Sequence, residues 1–100
     1  MRRTMAVVVA VALLALPAAA QDAPAGRRLA ARWCAACHVV EPSQGKATDN
    51  APTFWEIAAR PGTTAESLDR HLSRGHTLMP DFSLDSQERG ALVAYILSLR

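Results

Sequence analysis

The sequence predicts an all-α protein built from three to four helices. Two capping-box patterns, Thr63-x-x-Glu66 and Asp85-x-x-Glu88, each indicate the start of a helix. No run after residue 20 alternates apolar and polar residues as a half-buried strand does. A length of 100 residues allows one domain. Behind the second capping pattern, apolar side chains recur with a helical period, at Leu92, Val93, Ile96, Leu97 and Leu99.

Residues 1–20 have the composition of a secretory signal peptide. Arg2 and Arg3 precede the apolar run Met5–Leu16, and the small residues Ala18–Ala20 follow it. The run is too short for a membrane span, which needs about twenty residues. We therefore expect a cleaved leader at 1–20, a mature domain at 21–100, and export, with the bacterial periplasm as the expected compartment. The alternative is an uncleaved helix that anchors the protein.

The charge of the mature domain argues against nucleic acid as a partner. The whole chain carries 11 basic and 9 acidic residues, for a net charge of +2. Because Arg2 and Arg3 leave with the leader, the mature domain has a net charge near zero. Lys46 is its one lysine, and its arginines form no long run. A nucleic-acid-binding domain would need a concentrated basic face.

The mature domain divides into four helical segments and one long loop. The first helix is predicted at about Ala25–Cys34. A polar loop then spans Val39–Pro52, since proline and glycine interrupt it. A short helix is expected near Phe54–Ala59, and a third from the Thr63 pattern to Arg74. The last helix follows Asp85.

The motif with the clearest chemistry is Cys34-Ala35-Ala36-Cys37-His38. C-x-x-C-H is the pattern of covalent haem attachment, because two thiols at this spacing reach the two vinyl groups at one porphyrin edge. The adjacent histidine then places a ring nitrogen on the iron. A disulfide across so short a loop would remove little entropy from the unfolded chain. We therefore expect one haem c per chain, bound through Cys34 and Cys37, with His38 as an iron ligand.

Two other sites could use the same cysteines. A thioredoxin-like redox pair shares the C-x-x-C spacing, but it accompanies a βαβ pattern that is absent from this sequence. A zinc site could combine Cys34 and Cys37 with His71 and His76, whose ligand types are suitable. The gap between Cys37 and His71 is much longer than in a zinc finger, which disfavours that site.

The sixth iron ligand has several candidates. Met79 is the methionine that remains after the leader is removed, and Gly75 and Pro80 place it on a loop. A thioether ligand raises the reduction potential of haem iron. The residues themselves leave open that Met79 is core filler and that His71 or His76 binds the iron instead.

Over residues 23–100 the sequence resembles the small class I cytochromes c. Besides the C-x-x-C-H motif, the likeness rests on Gly26, Ala51-Pro52, Leu78-Met79-Pro80 and the segment 92–97, which includes Tyr95. The resemblance implies a small cytochrome c fold around one covalently attached haem. It also implies that the proline loop at Pro52 accepts a hydrogen bond from His38. Met79 then becomes the distal ligand, with His76 as the less favoured alternative.

Two further residues are candidates for the surroundings of the haem. The resemblance implies that Arg60 pairs with a haem propionate, although an exposed arginine at this position needs no such role. Trp55 carries an indole N–H donor that could approach the propionates. Simple core packing explains Trp55 equally well.

These features predict an electron carrier and no enzyme. The expected partners are a dehydrogenase, an oxidase or a reductase, met through small and transient interfaces. Membrane association is expected only through an uncleaved leader or a membrane-bound partner. Two alternatives remain: a haem subunit fixed in a larger dehydrogenase or oxidase, and a ligand sensor or peroxidase-like protein if Met79 does not bind the iron.

Overall fold

A computed structural model describes residues 4–10, 18–76 and 78–100. These residues form helices and loops and contain no strand, which confirms the all-α fold class. Half of the predicted leader, residues 1–3 and 11–17, lies outside the described residues. Within them, no helix has the length and apolar character needed to cross a membrane. The elements are α1 (Ala18–Trp33), a 3-10 helix (Pro42–Gln44), α2 (Phe54–Ala59), α3 (Ala65–Leu72) and α4 (Ser86–Ser98).

The first helix is longer than the sequence predicted. Helix α1 begins at Ala18 instead of Ala25 and continues through Pro24. Proline is most common in the first turn of a helix, which is why the predicted start lay just after it. The residues before Pro24 are rich in alanine, the best helix former, and this extends the helix towards the amino terminus.

The start of α3 corrects the predicted capping box by one residue. Thr64, not Thr63, is the N-cap, and it pairs reciprocally with Ser67 instead of Glu66. Thr63 is buried, and its hydroxyl donates to the Ile57 carbonyl at 2.7 Å, so its side chain is already engaged. The helix also ends earlier than expected, at Leu72. The capping box at the start of α4 is the predicted one.

Helix α4 forms the centre of the core. Every residue from Ala91 to Ile96 is buried. The buried surface of the helix is therefore wider than the single apolar stripe that the sequence predicted. Helix α1 packs along it most extensively, and α2 and α3 contact it as well. Leu97 and Leu99 of the predicted stripe are only partly buried.

The backbones of α1 and α4 meet at Gly26. A Cβ atom added there would lie 1.9 Å from the Ala91 carbonyl oxygen and 2.8 Å from the Tyr95 Cβ. Both distances are far shorter than van der Waals contact. Glycine is therefore required by the close approach of the two helices.

Two arginines, Arg89 in α4 and Arg100 just beyond it, connect this part of the chain to the smaller helices. Arg89 donates through Nε to Asp69 of α3 at 2.8 Å and through Nη1 to the Leu84 carbonyl at 2.8 Å. Arg100 donates to the carbonyls of Ala58 and Thr63. These bonds hold α2, α3 and the loop before α4 against the central helix.

We predict that Gly26→Ala destabilises the protein, because the new methyl group would collide with the α4 backbone. Overpacking of this kind costs about 1–3 kcal/mol or more. The matched control is Gly90→Ala in α4, where an added Cβ meets no atom within 4 Å. That control should stabilise the protein by about 0.5–1 kcal/mol, since alanine is the better helix former. Chemical denaturation of both variants measures the two effects, and changes of equal sign would contradict this account.

Candidate functional site

One large cavity collects most of the residues singled out in the sequence. Its volume is about 750 Å³, within the range of roughly 300–1,000 Å³ typical of cofactor sites. The wall is mainly apolar and includes Phe54, Leu68, Leu72, Leu92 and Ile96. The predicted site residues that line it are Cys34, Cys37, His38, Pro52, Arg60, His71, His76 and Met79.

The C-x-x-C-H motif continues the course of α1 as a tight turn. The Cys34 N–H donates to the Ala30 carbonyl at 2.9 Å, and the His38 N–H donates to the Cys34 carbonyl at 2.9 Å. Because the turn is hydrogen-bonded in this way, both thiols and the imidazole reach one cavity. The motif therefore presents three groups to the same space.

His38 is held in one orientation by a backbone carbonyl. Its Nδ1 lies 2.6 Å from the Pro52 oxygen, so Nδ1 must carry the proton that this carbonyl accepts. The resemblance implied this bond. Phe54 packs beside the imidazole, with ring centroids 5.4 Å apart. The other nitrogen, Nε2, keeps a lone pair that can bind a metal ion.

Gln44 organises the attachment segment, residues 34–40, although no pattern in the sequence pointed to it. Its amide nitrogen donates to the carbonyls of Ala35 at 2.8 Å and His38 at 2.9 Å. Its amide oxygen accepts from the Val40 N–H at 2.8 Å. One side chain thus satisfies three backbone groups around the motif. A glutamine in a polar loop has no sequence pattern that marks such a role; the one local signal is Gly45, whose φ of 79° turns the chain.

Tyr95 connects the same segment to the central helix. Its hydroxyl donates to the Val40 carbonyl at 2.6 Å, and its ring packs against Phe54. Burial raises the pKa of this phenol, with a further contribution from the negative charge of Glu41, so it stays protonated and keeps donating. Tyr95 and Gln44 therefore fix Val40 from both sides.

The two thiols are poorly suited to redox exchange. Burial raises the pKa of Cys34 to about 11, and the neighbouring Cys37 adds to this. A hydrogen bond with Asp49 is the main cause that raises the pKa of Cys37. Redox cysteines need a lowered pKa, because the thiolate is the reactive form. The thioredoxin-like alternative is therefore disfavoured.

The zinc alternative lacks a ligand set. Within residues 4–10, 18–76 and 78–100, no three or more His, Cys, Asp or Glu side chains cluster so as to hold a metal ion. His71 and His76 do contact each other, with Nδ1 of one 2.9 Å from Nε2 of the other. Burial, and then the charges of His76 and His38, lower the pKa of His71.

The remaining candidates occupy different positions around the cavity. Met79 is partly buried and packs against the core, whereas its neighbour Leu78 is 95% exposed. The Met79 carbonyl accepts a hydrogen bond from the His76 N–H at 2.7 Å. Arg60 lines the cavity, but Trp55 is not among the described residues that line it and is 37% exposed.

Comparison with known proteins agrees with this geometry. Residues 21–96 match the family described as cytochrome C oxidase, cbb3-type, subunit III. The chain is also 44% identical to cytochrome c-552 of Bradyrhizobium diazoefficiens, over 98% of its own length and 94% of that protein. No solved structure matches the chain.

The chain belongs to the class I c-type cytochromes. It is accordingly an electron carrier with a covalently bound haem c. The residues present fit that group, because two thiols and an imidazole nitrogen converge on a mainly apolar cavity of suitable volume. This cytochrome therefore has the fold and the cofactor that the sequence predicted.

We predict that Gln44→Glu weakens the attachment segment. The substitution removes two donated hydrogen bonds, each worth about 0.5–1.5 kcal/mol, and brings a carboxylate towards two carbonyl oxygens. We expect the free energy of unfolding of the holoprotein to fall by about 2 kcal/mol, with a lower yield of haem-bound protein.

The control is Gln87→Glu, an exposed position in the first turn of α4, which should leave both quantities nearly unchanged. Denaturation curves and the ratio of haem absorbance to protein measure the two effects. Equal behaviour of the two variants would show that Gln44 does not hold the segment.

Proposed function

We propose that this cytochrome is exported and passes single electrons between redox proteins, with His38 and Met79 as the two axial ligands of its iron. The observation that carries the proposal is that His38 and Met79 line the same cavity as both thiols of the motif. The bond from His38 to Pro52 supports it further, because it leaves Nε2 as the nitrogen available to the iron.

The chain's own residues favour electron transfer over substrate chemistry. When bound, haem c supplies an iron that accepts and releases one electron. Two side-chain ligands from the protein leave no position on the metal for a substrate or for oxygen. Apolar side chains such as Leu68, Leu92 and Ile96 exclude water from the cavity. Exclusion of water, together with a thioether ligand, favours the less charged ferrous form and raises the potential.

A small apolar patch near the cavity is suited to contact with a redox partner. Trp33 is 43% exposed and lies 6.0 Å, between ring centroids, from Phe82, which lines the cavity. The Arg32 guanidinium covers the Trp33 ring at 5.3 Å. A dehydrogenase, an oxidase or a reductase docking here would come close to the cofactor. Transient docking is consistent with the small size of this patch.

A second candidate is a haem subunit fixed in a larger oxidase or dehydrogenase complex. The description of the matching family, subunit III of a cbb3-type oxidase, favours it. Fractionation of native cells, followed by mild detergent extraction of the membranes, separates the two. A diffusing carrier is recovered alone from the soluble fraction, whereas a fixed subunit elutes with its complex from the membrane extract.

We predict that Met79→Ala opens the iron to external ligands, because the thioether is lost. The reduced variant should bind carbon monoxide at neutral pH and show a lower potential, whereas the unaltered protein should not respond to the gas. The control is Arg74→Ala, an exposed residue of the preceding segment that is not among the described residues lining the cavity. Absorption spectra with and without carbon monoxide report the result. A response from the unaltered protein would favour a ligand sensor instead.

We predict that the exported protein begins at Gln21. Residues 1–20 combine a basic start, a short apolar run and small residues before the cleavage point. Amino-terminal sequencing of the protein from the periplasmic fraction of a host with haem-maturation machinery checks this. An intact chain recovered from the membrane fraction would show that the segment is an anchor.

A further inference from the structure

A pair of histidines at the rim of the haem cavity has no role in the function proposed above. His71 lies in the last turn of α3, and His76 follows Gly75 in the loop beyond it. The Nδ1 atom of His71 is 2.9 Å from the Nε2 atom of His76, with ring centroids 4.1 Å apart. Both side chains are exposed. We propose that His71 and His76 form a binding site for a divalent transition-metal ion, best suited to Cu²⁺.

The distance between the two nitrogens fits a chelating pair. Metal–imidazole bonds of about 2.0–2.1 Å at a right angle place the two nitrogens about 2.9 Å apart. A tetrahedral angle would require about 3.3 Å. The observed 2.9 Å is close to both distances, so the pair can chelate an ion with little movement of the rings. Without metal this separation is that of a hydrogen bond and does not itself select the metal. The Irving–Williams order is what favours Cu²⁺ over Zn²⁺.

The two ligands are held in place before any metal arrives. Leu68 and Leu72 of α3 are buried on either side of His71 along the chain and fix its helix to the core. The His76 N–H donates to the Met79 carbonyl at 2.7 Å, which fixes the backbone of the second ligand. A preorganised pair loses less conformational entropy on binding than two mobile side chains would.

The exchange needs a change of tautomer and no net loss of a proton. Without metal, the N–H of one ring donates to the lone pair of the other, which accounts for the contact of the two nitrogens. On binding, the donor ring carries its hydrogen on its other nitrogen instead, so that both facing nitrogens offer a lone pair to the metal. Water completes the coordination, because the described residues bring no third protein ligand to the pair.

The test uses the ferric holoprotein, in which both cysteine thiols are consumed in thioether bonds and cannot compete. Calorimetric titration with Cu²⁺ should give one site per chain, with weaker binding of Zn²⁺ and none of Mg²⁺. His71→Ala and His76→Ala should each weaken Cu²⁺ binding at least about tenfold, since each removes one arm of the chelate. The matched control is Arg74→Ala, an exposed residue of the same segment, which should not weaken it.

A second measurement needs no variant. Electron paramagnetic resonance of the Cu²⁺ complex should show hyperfine coupling to two imidazole nitrogens. Coupling to one nitrogen or none would overturn the proposal, as would unchanged affinity in either histidine variant. Unaltered haem spectra of the variants show that loss of binding does not come from misfolding.

Discussion

The close contact of α1 and α4 at Gly26 is the constraint on which the rest of the structure depends. It sets the distance between the helix that leads into the C-x-x-C-H motif and the helix that provides Leu92 and Ile96 to the cavity wall. If the helices moved apart by the width of one methyl group, the thiols would shift relative to the wall they face. A single hydrogen atom in place of a side chain thus determines the dimensions of the site.

Backbone carbonyls, more than charged groups, define the geometry around His38. Pro52 fixes the imidazole, and Gln44 donates to the carbonyls of Ala35 and His38 within the motif. Tyr95 then connects the next residues to the core through Val40. Neutral hydrogen bonds of this kind are little affected by salt. The orientation of His38 should therefore be the same at low and at high ionic strength.

Local signals in the sequence predicted most of the fold and the centre of the site. The motif Cys34–His38, the limits of α2 and the cap of α4 each depend on neighbouring residues, and the structure has them where expected. The late predicted start of α1 overlooked a local signal, the alanines before Pro24. Two other errors arose where distant contacts decide. Burial of Thr63 transferred the cap of α3 to the next residue, and Gln44 acts through carbonyls that only folding brings near. Neither effect has a periodic or spaced pattern to detect.

The pairing of α1 with α4 joins segments that are far apart in the sequence, and this has a consequence for the timing of folding. The most extensive helix contact has a large sequence separation, so most of the chain must be closed into one loop before it forms. Loop closure of this size carries an entropic cost, and contacts of high order slow the folding rate. Helix α4 is also synthesised after α1, α2 and α3. The contact of α1 with α4 must therefore wait until α4 has been made, and the cysteines of the motif stay accessible to covalent modification during that interval.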